Sequence, residues 1–187
     1  MASLNCFCLD EIPLTKAALQ PFLSFGRLTE LCLHTPCTKE RCSFQLNDSI
    51  ISELAEALPR LRSLQLGSFP CGASTSDVTI TSLVALSTNC VDLDYLRLHF
   101  DANNIISRNT HANSQTHKFV CKLRTLSVDS QLLPSDHNDI LLVAFTILHI
   151  FPHLETISGP LRRWDRVREA VHLFQKAQKI IPFPTSK

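Results

Sequence analysis

The chain has 187 residues, a net charge of +1, and 44% hydrophobic against 19% charged residues. These values predict one globular domain with a sizeable core and exclude a disordered chain. The four glycines, at positions 26, 67, 72 and 159, cannot form a G-x-G-x-x-G dinucleotide loop. The near-neutral charge gives no reason to expect a nucleic-acid partner.

Residues 1–10 have neither the basic segment nor the long apolar segment of a signal peptide. The most apolar run, residues 140–148, is far shorter than the roughly 20 residues that cross a bilayer. We therefore predict a protein of the cytoplasm or nucleus that makes no membrane contact. In such a compartment its eight cysteines are expected to be reduced thiols.

A Leu-x-x-Leu-x-Leu motif recurs along the chain. It begins at Leu28, Leu61 and Leu93, returns with valine in its last place at Leu123, and is degenerate at Leu154. Successive copies are 33, 32, 30 and 31 residues apart, and residues 4–9 resemble an earlier, partial copy. Such even spacing is typical of a repeat protein.

A helix is predicted ahead of each later copy. In the clearest case four apolar residues fall at the i, i+3, i+4, i+7 positions of one helix face: Ile51, Leu54, Ala55 and Leu58. A similar stripe follows from Ile80, and another from Ile140. The predicted N-caps are Asp48, then Ser76 or Asp77, then Ser135.

Each unit is therefore a strand, a loop, a helix and a turn, of about 31 residues. One unit cannot bury its own apolar face, but stacked units can. The pattern resembles the leucine-rich-repeat family, which implies an α/β solenoid with parallel strands on the concave side and helices on the convex side. Residues 1–160 would form about five repeats. The family's Asn or Cys after the third leucine is replaced by Pro36, Phe69, Asp101 and Gln131, so the curvature stays open. The alternative is an ordinary α/β domain with leucine-rich strands.

The residues between the strand leucines are predicted to project from the open face of the sheet in three columns. The first is Glu30, Ser63, Tyr95, Thr125 and Thr156; the second is Cys32, Gln65, Arg97, Ser127 and Ser158; the third is His34, Gly67, His99 and Asp129. Tyrosine and arginine are common in binding hot spots. The candidate recognition residues are therefore Glu30, Gln65, Tyr95, Arg97, His99 and Asp129.

The last segment, residues 161–187, is predicted to be an amphipathic capping helix and a short tail. Trp164, Val167, Val171 and Phe174 share one helix face, while residues 162–187 carry seven Lys or Arg and two Asp or Glu. The helix can cap the open end of the last repeat. The alternative is a basic helix for an acidic partner or a membrane surface.

Two segments also resemble the repeat region of fungal F-box proteins: Ala57-Leu-Pro-Arg-Leu-Arg-Ser-Leu64 and Phe151-Pro-His-Leu-Glu-Thr-Ile157. The closing Gly159-x-x-x-x-Trp164 is similar to the end of that region. The resemblance implies a substrate-binding region whose F-box binds a Skp adaptor of a cullin ubiquitin ligase. No F-box is present in this sequence, so the chain is either a truncated product or similar in its repeats alone.

Three other features were weighed. Residues 67–74 approximate a phosphate-binding loop, but Ala73 replaces its lysine. His34, Cys37 and Cys42, with Cys71 or Cys6, could hold zinc, although the spacing is loose. Residues 103–118 are polar and are predicted to form an exposed loop.

We predict a protein–protein interaction module with no catalytic residue, cofactor or metal. The alternatives are a small thiol-dependent or hydrolytic α/β enzyme and a structural repeat fragment without a partner. If residues 4–9 form a strand, its outer edge is unpaired, and the isolated chain is expected to self-associate.

Overall fold

The computed structural model describes residues 2–8, 13–34, 44–67, 76–103, 120–129, 133–160 and 162–180, with the backbone alone for residues 2–8 and 178–180. The strands are β1 (Ala2–Cys8), β2 (Leu28–His34), β3 (Ser63–Gly67), β4 (Tyr95–Leu98), β5 (Thr125–Val128) and β6 (Thr156–Ser158). The helices are α1 (Lys16–Leu19), a 3-10 turn (Gln20–Phe22), α2 (Asp48–Ala57), α3 (Ile80–Asn89), α4 (His137–Ile150) and α5 (Arg162–Ile180).

The six strands form one sheet in the order β1-β2-β3-β4-β5-β6, and every neighbouring pair is parallel. The chain therefore adds each new strand to the same side of the sheet. An α/β fold with a parallel sheet, as the repeated motif predicts, is confirmed.

The register aligns equivalent positions of the repeated motif. Leu31, Leu64, Leu96, Leu126 and Ile157 pair in sequence across β2 to β6. The first two predicted columns pair in the same way, because Glu30 aligns with Ser63 and Tyr95, and Gln65 aligns with Arg97 and Ser127. The third column aligns only at His34 and Gly67, since β4 and β5 end one residue before His99 and Asp129.

One face of the sheet is buried beneath the helices in a single core. The strand leucines join apolar residues of α2, α3, α4 and α5 in one cluster. The predicted stripe of α2 is completely buried at Ile51, Leu54, Ala55 and Leu58. Burying this stripe provides most of the stability of a helix this short, because a ten-residue helix is marginal in isolation.

The predicted helix caps are wrong, because a different residue caps each helix. Asn47 caps α2 by accepting from the amide of Ile50 at 3.0 Å. Thr79 caps α3 and Asp136 caps α4, one to three residues from the predicted positions.

Asp48 instead reaches into the next unit. Its carboxylate accepts from the Thr79 amide at 2.7 Å, from the Thr79 hydroxyl at 2.6 Å and from the Ser82 hydroxyl at 2.6 Å. An acidic residue of α2 thus satisfies donors at the start of α3, where orphan amides favour negative charge.

The last helix, α5, packs against α4 and β6. Trp164, Val167 and Val171 are buried, as the amphipathic pattern predicts, and Phe174 is half-buried. The indole of Trp164 makes an edge contact with Phe100, with ring centroids 6.0 Å apart. This face covers the sheet and core at the end of the strand series.

Several predictions concern residues outside the described ranges. They are the phosphate-loop resemblance beyond Gly67, the zinc ligands Cys37, Cys42 and Cys71, the side chain of Cys6, and residues 104–118 of the polar loop. Among the described residues, no helix combines the length and the apolar character that crossing a membrane requires.

Candidate functional site

The open face of the sheet carries four of the six candidate recognition residues. Glu30 is exposed, and Gln65, Tyr95 and Arg97 are half-buried in the first two columns. Tyr95 and Arg97 lie two residues apart on β4, so their side chains leave the same face of the sheet. The two residues form the centre of the face, with two strands on one side of β4 and three on the other.

Arg97 is held by Asp129, another candidate. Its Nε donates to both carboxylate oxygens of Asp129, at 3.0 and 2.8 Å, and Asp129 is only 3% exposed. Gly67 makes room for this carboxylate, since a Cβ at position 67 would lie 2.8 Å from Oδ2 of Asp129. Asp129 is therefore a buried support for Arg97 rather than an exposed recognition residue.

His34 lies in the electrostatic field of this ion pair. Partial burial lowers the pKa of His34 below its ordinary 6.5, the charge of Arg97 lowers it further, and Asp129 opposes the shift. The Nε2 atom of His34 is 3.1 Å from Sγ of Cys32. The neutral imidazole is the form that this site favours.

Cys32 departs from the prediction in two ways. It is 7% exposed although it belongs to the open-face column. It is also disulfide-bonded. The expectation of reduced thiols is therefore wrong for Cys32.

His99 is buried and is not exposed on the open face. It is 1% exposed, and its ring lies 5.3 Å from that of Phe44, which belongs to the core cluster. The strict alternation of side chains holds only within a paired strand. Because β4 ends at Leu98, the next residue turns into the protein.

An open groove of about 820 Å³ runs beside Tyr95 at the edge where the strands begin. Its lining is mostly charged: Glu30, Arg62, Ser63, Asp92, Asp94, Tyr95, Lys122, Arg124, His153 and Glu155. Among these lining residues, Tyr95 is the only Phe, Tyr or Trp. The groove therefore combines one amphipathic anchor with charges of both signs.

The charges of this edge alternate from strand to strand. The residues immediately before β3, β4, β5 and β6 are Arg62, Asp94, Arg124 and Glu155. Each amide from Asp94 onward donates to the carbonyl of the preceding member, at 2.8 to 3.0 Å. Their side chains are therefore about one strand spacing, or roughly 4.8 Å, apart.

Two ion pairs join the central members of this edge. Lys122 contacts Asp92 at 2.7 Å, and Arg124 contacts Asp94. The hydrogen bond and the charge of Lys122 lower the pKa of Asp92, while the hydrogen bond from Arg124 to Asp94 raises the pKa of Arg124. The sequence contains a signal for this edge, namely charged residues of alternating sign one position before β3, β4, β5 and β6.

A second, smaller cavity of about 380 Å³ lies at the opposite end of the strands. Its lining is Arg97, Ser127, Val128, Asp129, Ser158, Gly159 and Pro160. Polar groups of the second column therefore reach this cavity, while Tyr95 of the first column lines the larger groove.

Two cysteines of the described part are free, and both are buried. Cys90 donates to the carbonyls of Leu58 and Ala55, and Cys121 donates to the carbonyls of Cys90 and Leu93. Burial raises the pKa of Cys90 to about 12 and that of Cys121 to about 11. A nucleophilic thiolate is therefore disfavoured at both positions.

No group of three or more His, Cys, Asp or Glu side chains could hold a metal ion among the residues that the structure describes. Comparison with known protein families, with curated proteins and with solved structures finds no match to this chain.

Proposed function

We propose that this chain is a protein-interaction module, built as a leucine-rich-repeat solenoid, which holds a protein partner on the open face of its sheet. The single observation that carries the proposal is the position of Tyr95. It is half-buried on a central strand, beside a groove of about 820 Å³ with charges of both signs. Aromatic anchors surrounded by polar groups are typical of binding hot spots.

The solenoid architecture is supported by three features of the fold. Parallel strands follow each other in chain order, equivalent leucines align across them, and helices bury one face alone. In such a fold the other face of the sheet is free to bind a partner, and we propose that this face is concave.

The more specific form of the proposal is the substrate-binding region of an F-box-like ubiquitin-ligase adaptor, acting with a Skp adaptor and a cullin in the cytoplasm or nucleus. It rests on the sequence resemblance. The disulfide of Cys32 is an observation against a reducing compartment, because disulfides persist mainly in oxidising ones. Sequencing the 5′ end of the transcript tests this form. An upstream, in-frame F-box would support it. Translation that starts at Met1 would reject the adaptor form and leave only the general proposal of a binding module.

The alternative to a binding module is a thiol-dependent enzyme. Among the described residues the free thiols are those of Cys90 and Cys121, which are buried and have raised pKa values, so neither supports it. A structural fragment without a partner remains the second alternative, and it predicts that no protein contacts Tyr95.

The test is site-specific photo-crosslinking in cell extract. A photoreactive phenylalanine analogue replaces Tyr95 in one protein, and Thr88, exposed on α3, in a matched control. The proposal expects at least one protein that crosslinks at position 95, does not crosslink at position 88, and is displaced by excess unmodified chain. The same proteins at both positions, or none at position 95, would contradict it.

Tyr95→Ala is the companion variant, and it should reduce capture of the crosslinked protein while leaving the fold intact. Arg97→Ala is unsuitable for this purpose. It would leave the buried carboxylate of Asp129 without its ion pair, which costs about 3–5 kcal/mol of folding free energy in comparable cases. Lost binding in that variant could reflect unfolding.

A further inference from the structure

The strand-start edge carries charges in an order that is complementary to itself. We name this edge by the turns before β3, β4, β5 and β6, which are residues 59–62, 91–94, 120–124 and 152–155. The first of these turns is basic through Arg62, the second acidic through Asp92 and Asp94, the third basic through Lys122 and Arg124, and the fourth acidic through Glu155.

The order basic, acidic, basic, acidic changes sign when it is read backwards. Two copies that meet edge to edge about a two-fold axis along the sheet normal have their turns running in opposite directions. The turn before β4 then faces the turn before β5 of the other copy, and the turn before β3 faces the turn before β6. Every facing pair has opposite charge. An axis along the row of turns would instead bring like charges together, which costs free energy.

The central charges are accessible to a second molecule. The side chains of Asp92 and Asp94 are each 45% exposed, Lys122 is 68% exposed and Arg124 is 57% exposed. The existing pairs Asp92–Lys122 and Asp94–Arg124 would each meet the same pair reversed. Each charge would then have two neighbours of opposite sign, an arrangement stronger than an isolated surface ion pair.

An apolar centre accompanies these charges. Val91 and Val120, in the two central turns, are 38% and 50% exposed, although most valines of the described chain are buried. The amide of Lys122 donates to the carbonyl of Val91 at 3.1 Å, so the two turns are neighbours. An apolar centre with a charged rim is the usual anatomy of a protein interface.

We infer that the strand-start edge binds a second copy of this chain, as a two-fold dimer in which the turn before β4 contacts the turn before β5 of the partner. The net charge of +1 opposes such association only weakly. The contact uses charged residues that also line the groove beside Tyr95, so a second copy and the proposed partner would compete for this edge. The inference is argued from the order of the edge charges and does not rest on the proposed function.

The test measures molar mass by size-exclusion chromatography with light scattering, at low salt and at tens of micromolar protein. The unmodified chain should have about twice the chain mass of 21.0 kDa. The acid-reversed variant (Asp92→Lys with Asp94→Lys) and the base-reversed variant (Lys122→Glu with Arg124→Glu) should each be monomers, because both make facing turns alike in charge.

An equimolar mixture of the two variants should regain the doubled mass, as a dimer with one copy of each, identified by native mass spectrometry. The matched control reverses the remote ion pair of α1 and α2, Lys16→Glu with Glu53→Lys, and should keep the doubled mass. Circular dichroism checks that each variant is folded. Raising the salt should halve the mass of the unmodified chain, because screening weakens the contact.

Three results would overturn the inference. They are a monomeric unmodified chain, a doubled mass for either folded variant alone, and a mixture that stays monomeric. If a reversed variant fails to fold, the single change Val91→Asp replaces it and should give a monomer; a doubled mass in that folded variant would also reject the contact. Association through the outer edge of β1 would survive all of these changes, so the test separates it from the edge contact.

Discussion

The backbone of Gly159 lies against the indole of Trp164, so closely that a Cβ at position 159 would overlap Cδ1 and Cγ and lie 2.9 Å from Cδ2. The contact joins the end of β6 to the first turn of α5. Since Trp164 is 1% exposed, its ring has no solvent-filled space into which it could withdraw.

Gly159→Ala is therefore expected to destabilise the fold by about 1–3 kcal/mol, the range for overpacking a core. Urea unfolding monitored by the fluorescence of Trp164, the single tryptophan, measures the change. Gly26→Ala is the matched control, because its Cβ would make an ordinary contact at 3.5 Å with the carbonyl of Ala57. Equal stability of the two variants would refute the packing argument.

Asp48→Ala is expected to destabilise the protein by about 2 kcal/mol or more, because it leaves buried donors of Thr79 and Ser82 without their acceptor. Asn47→Ala removes only the cap of α2 and should cost about 1 kcal/mol. Urea unfolding followed by circular dichroism compares the two. A larger loss from Asn47→Ala would show that the contact between units contributes less than a local cap.

The lowered pKa of His34 predicts a dependence of stability on pH. Below its ordinary pKa of 6.5 the unfolded chain takes up a proton that the folded chain resists. The stability contributed by neutral His34 is therefore present above pH 6.5 and is lost as the pH falls towards the lowered value. The free energy of unfolding, measured from about pH 7 to pH 5, should fall less steeply in His34→Gln. Identical slopes would contradict the argument.

The buried thiols should be unreactive in the folded protein. With pKa values of about 12 and 11, fewer than about one thiol in 10,000 of Cys90 or Cys121 is ionised at pH 7. Iodoacetamide labelling read by mass spectrometry should modify both only after denaturation, and Cys32 only after reduction. Selective labelling of Cys90 or Cys121 at mildly acidic pH would contradict this prediction and support a thiol-dependent enzyme.

The repeated leucines are sufficient to predict the sheet. Their spacing gives the strand order, the register and the buried face, because an apolar residue at every second position leaves one arrangement that buries them all. Ile51 and Leu54 were predicted on the buried helix face for the same reason, and both are completely buried.

The parts that the sequence did not predict depend on contacts between units. Aspartate commonly caps helices, so the sequence predicts that Asp48 caps its own helix. In the structure Asn47 is the cap, and Asp48 accepts from Thr79. His99 continues the alternating pattern in sequence, but the strand has already ended. The first outcome depends on a contact with the neighbouring unit, and the second on where β4 ends; the motif spacing within one unit gives neither.

The hydrogen bonds between Asp48 and the start of α3 also limit how repeats can be added to this chain. A gene duplication that copies one period, from strand to strand, would join α2 to a helix that lacks Thr79 and Ser82 at the receiving positions. The new boundary would then hold an acidic side chain that lacks the two hydroxyl donors of Thr79 and Ser82. Because Asp48 and Ser82 are 34 positions apart, more than one period of about 31 residues, no single period contains both partners, and an engineered array would need them placed in every unit.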